Sequence, residues 1–226
     1  MAKIKNDYIE TVYNLQDRPL TTYPSKMTHY LAQRFQFTKD KKLLEVGCGR
    51  GEFAKGFMEY GLEVHAVDQS DYVTKLEPKI KFKPCDLENS ALPYEDNSFD
   101  YIYSKSVIEH FYYPERIMKE IFRILKPGGQ VITMTPSWEE NMLVFFEDFT
   151  HRTPFTPVSL RDLKIITGFK EVHVEKFIQL PIIWKCAWMI PVTKIVSLLA
   201  PSFFKKYKFV RFSKEIMLLS HAIKPN

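Results

Sequence analysis

Residues 43 to 51 read Leu43-Leu44-Glu45-Val46-Gly47-Cys48-Gly49-Arg50-Gly51. An apolar run with one embedded acid predicts a short buried strand. The glycines at alternate positions predict a turn whose backbone bends sharply and comes within contact distance of a ligand. Helix-forming sequence follows. The next acid of interest is Asp68, which ends the apolar run Leu62 to Val67 where a second strand should stop. An acid there, about 20 residues beyond the glycines, is placed to accept hydrogen bonds from a ribose. The spacing also discriminates between nucleotides. A dinucleotide site has the form G-x-G-x-x-G, with the pyrophosphate on a helix N-terminus; here the third glycine comes one residue early and Glu52 holds its place. An acid beside a pyrophosphate repels it, so NAD and FAD are disfavoured and a nucleoside ligand without phosphate is favoured.

Glu45 to Gly51 has the form (Asp/Glu)-x-Gly-x-Gly-x-Gly and resembles the first motif of the class I S-adenosylmethionine-dependent methyltransferases. Asp68 matches that family's ribose-binding acid, with Gln69 beside it at the adenine edge. Cys85-Asp86-Leu87, after a short strand Ile80 to Phe82, looks like the family's adenine contact. Asn97 to Ile102, followed by Ser104 to His110, resembles the fourth strand and its loop. Leu125-Lys126-Pro127-Gly128-Gly129, before the apolar strand Val131 to Met134, is similar to the signature of the small-molecule, type 11-like branch. The resemblance implies an α/β, Rossmann-like, doubly wound sheet of seven strands, the last antiparallel and inserted beside the fifth. It implies S-adenosylmethionine as cofactor, leaving as S-adenosylhomocysteine. It places Glu45, Gly47, Cys48, Gly49, Gly51, Asp68, Gln69, Asp86, Leu87, Ser104 and Ser106 against that cofactor.

Composition agrees with this frame. At 226 residues, 45% hydrophobic and 26% charged, the chain has the length and balance of one globular domain with a sizeable core. The expected organisation is a single methyltransferase domain over 1–226: an N-terminal cap and helix (1–40), a cofactor-binding core (41–176), a cap insertion (177–213) and the final strand (214–226). Cys48, Cys85 and Cys186 are widely spaced and odd in number, with no Cys-x-x-Cys pair, so neither a disulfide framework nor a metal centre is expected. A cytoplasmic location follows from that reduced cysteine usage and from the lack of a charged-then-apolar signal segment at the N-terminus.

Alternating strand and helix patterns argue for a parallel sheet covered on both faces. Met27, Tyr30, Leu31 and Phe35 share one face of a helix beginning after Pro24. Pro114 opens another, with Ile117, Met118, Ile121, Phe122 and Leu125 on its buried stripe and Gly128 suited to end it. Ser159 and Asp162 resemble a capping box for a helix that stops at Gly168. Phe169 to Lys176 and Glu215 to Ile223 read as the last two strands.

In open α/β sheets ligands bind outside the carboxyl ends of the strands. The segment after the fourth strand supplies Ser104, Lys105, Ser106, Glu109 and His110, and that after the fifth spans Thr135 to Pro157. Transfer from a sulfonium needs alignment and desolvation more than donor activation. An oxygen acceptor must also lose its proton, and His151, His110, Glu109 and Asp148 are the candidate bases. Within Asp148 to Thr156 the run resembles bacterial methyltransferases of glycans or small metabolites, which implies His151 and Arg152 in the acceptor pocket. The forked guanidinium of Arg152 suits a carboxylate or phosphate. Arg152, Glu109, Asp148 and Tyr23 are the expected acceptor contacts. His29, His65, His173 and His221 fall on helix or strands and read as packed or exposed.

The stretch Phe177 to Ser213 is long for a connection without structure of its own. It is read, with the residues through Tyr23, as a substrate-enclosing cap. Spanning a bilayer is disfavoured because Lys185 and Lys194 would each cost about 2.5 to 3.5 kcal/mol at mid-membrane and Pro181 and Pro191 interrupt the run. Short helices packed over the sheet edge are one reading; an interfacial membrane contact through 177–212, with Phe203 to Phe212 meeting anionic head groups, is the other.

The acceptor expected is a small molecule, or a glycan or lipid-linked intermediate, methylated at oxygen. A net charge of +5 is permissive of nucleic acid without indicating it. No DNA acceptor is expected: Ser104-Lys105-Ser106-Val107 stands where amino-methylating enzymes carry Asn/Asp-Pro-Pro-aromatic, and Pro84-Cys85 follows the third strand rather than the fourth. RNA or protein acceptors, and a catalytically inactive membrane-docking adaptor with the same fold, are the alternatives.

Overall fold

The computed structural model describes residues 15, 16, 18–199 and 207–226. Residues 1–14 of the expected N-terminal cap, and Phe203 to Lys206 of the aromatic and basic run, lie outside the described residues. The elements run α1 (Tyr23–Arg34), β1 (Lys42–Val46), α2 (Glu52–Tyr60), β2 (Glu63–Asp68), α3 (Tyr72–Leu76), β3 (Lys81–Pro84), β4 (Phe99–Lys105), α4 (Pro114–Ile124), β5 (Leu125–Pro136), α5 (Trp138–Asn141), α6 (Pro157–Ile166), β6 (Lys170–Phe177), α7 (Pro181–Lys185), α8 (Ile190–Leu199), α9 (Lys208–Lys214) and β7 (Met217–Ile223).

The strands form one sheet of seven in the order β3-β2-β1-β4-β5-β7-β6. β1 pairs in parallel with β2 (Val46 opposite Val67) and with β4 (Val46 opposite Ser104), so three strand tips end level around the glycine turn. β7 runs antiparallel between β5 and β6, as the resemblance implies. Successive strand residues point to opposite faces. Leu44, Val46, Ile102 and Val131 therefore pack with Ile117, Met118 and Ile121 of α4 and Leu160 of α6. Leu43, Tyr103 and Ile132 pack with Met27 and Leu31 of α1 and Phe57 of α2 on the other face. Both faces are covered, so the tips are where a ligand can enter.

Local chemistry corrects several expected boundaries. α4 ends at Ile124, and Leu125 opens β5, because Leu125 pairs with Phe99 of β4 and draws the chain into the sheet before Gly128 is reached. Gly128 instead turns within β5 at φ +72°. The capping box of α6 is made by Thr156 and Ser159, each side chain meeting the other's backbone N–H, and Asp162 has no part in it. The second and third strands lie one residue later than expected at their starts, because Gly61 and the turn at Glu77 to Ile80 finish the preceding segments.

The described parts of the stretch after β6 are largely helical. Trp184 of α7 stacks on Tyr30 of α1 with ring centroids 4.8 Å apart and donates its indole N–H to the Ile178 carbonyl at 2.9 Å. That contact fixes α7 against the sheet layer. α8 is held to α9 by Lys214 Nζ on the Ser197 carbonyl, yet Trp188, Ile195, Leu198 and Leu199 stand exposed. Among the described residues no helix is long and apolar enough to cross a membrane.

Candidate active site

A cavity of about 450 Å³ opens at the tips of β1, β2 and β4, within the size range of small-molecule sites. Its inner wall is the glycine turn. Gly47 N–H and Cys48 N–H both donate to the Val67 carbonyl, and Gly51 N–H to the Cys48 carbonyl, which ties the turn to β2 and starts α2. The glycines do different work. A Cβ on Gly47 (φ +75°) would lie 2.2 Å from Val107, so its lack of a side chain serves close packing. A Cβ on Gly49 (φ +50°) would meet nothing within 4 Å, although Gly49 lines the cavity. That space is left for a ligand.

Asp68, at the tip of β2, is the acid the sequence selects for a ribose. Its Oδ2 accepts the Gly49 N–H at 2.8 Å and its Oδ1 the Ser70 N–H at 2.9 Å. Burial raises its pKa, opposed by the Ser70, Gly49 and Gln69 backbone N–H groups. Glu45 lines the same wall with Oε2 buried and without a hydrogen-bond partner. Burial pushes its carboxyl well above the ordinary range, opposed by the Ala54 N–H and Lys105 and reinforced by Asp68 and Glu52. An orphaned buried oxygen and a turn that a Cβ would fill fit a nucleoside ligand with hydrogen-bond donors.

The other expected cofactor contacts divide. Gly47, Cys48, Gly49, Gln69, Leu87 and Ser106 line the cavity. Gly51 caps α2 with its Cα side against Val73. Ser104 is buried inside β4, away from the cavity lining. Asp86 is exposed, its oxygens taken by Glu88 N–H, Asn89 N–H and the Asn89 amide, so this carboxylate closes a turn. Glu52 does line the cavity, but Arg50 holds its carboxylate at 2.5 Å. The acid left to weigh against a pyrophosphate is therefore Asp68.

Arg50, Phe53, Ser70, Val107, Phe111 and Thr150 line the cavity without having been singled out as contacts. Arg50 also donates to the Arg18 carbonyl at 2.6 Å, strapping the segment before α1 to the turn. Phe53 follows from position, in the first turn of a helix that begins at the ligand. Thr150 and Val107 carry no such signal. Lys105 lines the wall opposite the glycines, its pKa lowered by burial and opposed by Glu109 and Glu45. Arg211 of α9 adds to the lowering, and no residue of 177–213 lines the cavity among the described residues.

Of the four candidate bases His110 lines the cavity, while Glu109, Asp148 and His151 gather behind it, outside the lining. His110, in a 3-10 turn after β4, lines the cavity, and its ring centroid is 4.9 Å from that of His151. Burial lowers His110 to about 4, reinforced by His151 and Arg152 and opposed by Asp148 and Thr150, so the ring is neutral near pH 7. His151 Nδ1 donates to the Phe145 carbonyl at 2.6 Å. Glu109 is fully buried, accepts from the Thr135 hydroxyl at 2.9 Å, and is pushed by burial to about 7. Asp148 accepts from the Thr150 N–H and hydroxyl. Arg152 turns away, donating to the Phe149 and His151 carbonyls and stacking over Tyr112. Tyr23 stands outside the lining: its hydroxyl donates to Gln179 Oε1, its ring stacks on Phe212, and burial raises its pKa.

Residues 44–133 match the family described as Methyltransferase domain. The chain is 30% identical over 162 residues to phosphoethanolamine N-methyltransferase 2 of Caenorhabditis elegans, covering 64% of this chain and 36% of that protein. It is 35% identical over 112 residues to a sterol 24-C-methyltransferase of Schizosaccharomyces pombe, covering 45% and 29%. The chain thus spans about a third of the length of these curated relatives. In fold it resembles a Haemonchus contortus phosphoethanolamine N-methyltransferase solved with S-adenosylhomocysteine, with a TM-score of 0.66 at 20% identity, covering 100% of this chain and 61% of that one. Sheet order and glycine turn are those of the class I S-adenosylmethionine-dependent methyltransferase fold, and residues 44–133 match its methyltransferase-domain family. S-adenosylmethionine is the cofactor of that family, and the cavity fits it.

Proposed function

We propose that the chain transfers a methyl group from S-adenosylmethionine to an oxygen of a small-molecule, glycan or lipid-linked acceptor. The observation that carries this reading is a single cavity with a nucleoside wall at one end (Gly49, Asp68, Leu87) and His110 and Thr150 at the other. The cofactor, when bound, supplies a methyl group on a positively charged sulfur. The chain's residues do the rest. Asp68 and the open side of Gly49 hold the ribose, Leu87 gives an apolar seat for the base, and Glu45 offers its unpaired oxygen to a donor.

The choice of oxygen rests on the outer end. The relatives are named for transfer to nitrogen and to carbon, so kinship does not select the acceptor. A hydroxyl must shed its proton as it is methylated, and a neutral imidazole within reach is suited to take it. The Phe145 carbonyl takes the Nδ1 proton of His151, which leaves Nε2 as the ring nitrogen to face an acceptor. The test is incubation with isotopically labelled S-adenosylmethionine and hydroxyl-bearing metabolites, glycans and lipid-linked intermediates, followed by mass analysis. Label in an ether linkage supports the reading; label in an amine contradicts the oxygen assignment, and no cofactor binding contradicts the whole. His151→Ala should slow transfer with little change in cofactor affinity, and an equal loss of both would remove its role.

A lipid-linked acceptor is favoured by the cap. Trp188, Leu198 and Leu199 are 75%, 83% and 72% exposed, with Lys185 and Lys194 exposed beside them. Apolar side chains with flanking ammonium groups suit an anionic bilayer surface. Flotation with anionic liposomes at low salt should carry the chain upward, and Trp188→Ser with Leu198→Ser should abolish this; no flotation of the unaltered chain would remove the membrane contact.

A further inference from the structure

The edge of the cavity that His110 lines holds more than a base. One carboxylate oxygen of Glu109 and one ring nitrogen each of His110 and His151 lie within 4.8 Å of one another. The cysteine spacing speaks only to thiolate sites. Two imidazoles and one carboxylate are a different donor set, used for zinc and for iron(II) with further positions open to water or substrate.

The hydrogen bonds around the rings decide which nitrogens carry lone pairs. The Phe145 carbonyl can only accept, so His151 is protonated at Nδ1 and has its lone pair at Nε2. The Thr150 hydroxyl gives its one proton to Asp148 Oδ1 at 2.6 Å. Toward His110 Nδ1, 2.8 Å away, it can therefore only accept, which protonates Nδ1 and places that lone pair also at Nε2. A carbonyl behind one ring and a hydroxyl backed by a carboxylate behind the other are the outer partners that orient metal-ligating histidines.

Glu109 supplies an independent observation. It is 0% exposed; Oε2 accepts from Thr135, while Oε1 is buried without a well-formed hydrogen bond, only the Glu109 and Val107 N–H groups lying near enough to favour the charged carboxylate. A desolvated carboxylate oxygen whose hydrogen bonding is this incomplete is a group a cation satisfies. The same residue also sets the position of the histidine loop, because Arg152 N–H and Thr153 N–H both donate to its main-chain carbonyl at 2.8 and 3.0 Å.

We propose that Glu109, His110 and His151 bind a divalent transition-metal ion of the zinc or iron(II) kind beside the cofactor cavity, at the edge that His110 lines, with a further coordination position for the acceptor's hydroxyl oxygen. The ion's use in methylation rests on the function proposed above; its binding does not. A hydroxyl on such an ion releases its proton to solvent at a pH several units lower than when free. The oxygen is then ready as a nucleophile, and with the ion bound the two histidines act as ligands, His151 in place of the base role given above.

The full chain, freed of metal by chelation, is titrated calorimetrically with zinc and with cobalt(II), with the visible spectrum of the cobalt form recorded. Saturation at one ion per chain is expected, with ligand-field bands and no thiolate charge-transfer band. Glu109→Gln and His151→Ala should each weaken binding about tenfold or more. Thr150→Val, which leaves all three ligands in place and removes the hydroxyl that links His110 to Asp148, should weaken it by about tenfold and serves if either ligand variant misfolds. Absence of saturable binding, or an affinity unchanged in both His151→Ala and Thr150→Val, overturns the site. Cofactor titration of the same samples separates the two claims: metal bound without methyl transfer to any acceptor leaves the site standing and removes the function, whereas transfer by a chain that binds no metal does the reverse.

Discussion

Replacing Asp68 by Ala should cost about 3 kcal/mol of cofactor affinity, and the figure follows from its lone pairs. A carboxylate offers about four acceptor sites. One on each oxygen is taken by the N–H groups of Gly49 and Ser70. About two remain for a ribose diol, each charge-assisted bond contributing roughly 1.5 to 3 kcal/mol net. Taking the lower value for both gives about 3 kcal/mol, or roughly 150-fold in Kd. The substitution also strips two acceptors from the loop, so the melting temperature should fall. Asp68→Asn keeps the size and one acceptor and is expected to lose about tenfold, half of that free energy. Calorimetric titration with S-adenosylhomocysteine gives both constants, with circular dichroism confirming a folded chain. A folded Asp68→Ala variant that binds within threefold of the parent would refute the placement of the ribose at the tip of β2.

The two tight glycines should separate stability from binding. Gly47→Ala drives a Cβ into Val107 and should lower the melting temperature sharply, whereas Gly49→Ala, strained by about 1 to 2 kcal/mol in its left-handed conformation, should remain folded and lose cofactor binding in titration. Lys164 is fully buried without a hydrogen-bond partner, and burial lowers its ammonium to about 7. Its folded pKa lies below the unfolded value, so the fold is unpenalised above about pH 10.5 and loses about 1.4 kcal/mol per unit as pH falls toward 7, with the full penalty below that. Lys164→Met should therefore raise denaturant stability at pH 6 by several kcal/mol and flatten its pH dependence between 7 and 10; equal slopes would contradict the burial. Thr156→Ala should cost about 1 kcal/mol through the lost cap of α6, and Asp162→Ala close to nothing, as measured by urea unfolding.

Much of the fold is legible because periodicity and glycine placement are local signals. The β1 turn, the acid at the end of β2 and the apolar stripe of α4 are each written in adjacent residues. The antiparallel last strand came from resemblance, since nothing in Met217 to Ile223 states its direction. Boundaries failed where distant partners decide: Leu125 reads as the end of a helix until Phe99 lies beside it, and Asp162 reads as a cap until Thr156 and Ser159 satisfy each other. The nucleoside side of the site could be read from motif spacing. The outer end could not, because Glu109, Thr135, Thr150 and His151 converge from three segments, and no spacing reports that Glu109 Oε1 is left without a well-formed hydrogen bond. Asp86 illustrates the opposite failure, an acid at a suggestive position whose oxygens close a local turn.

The central claim is that the cavity at the tips of β1, β2 and β4 receives the adenosyl cofactor, and a crystal structure of the chain grown with S-adenosylhomocysteine tests it most directly. The account predicts density there, with the ribose hydroxyls on Asp68, the backbone of Gly49 against the ligand and the sulfur directed toward His110. Density at another site, or none at a concentration that saturates binding in solution, would contradict it.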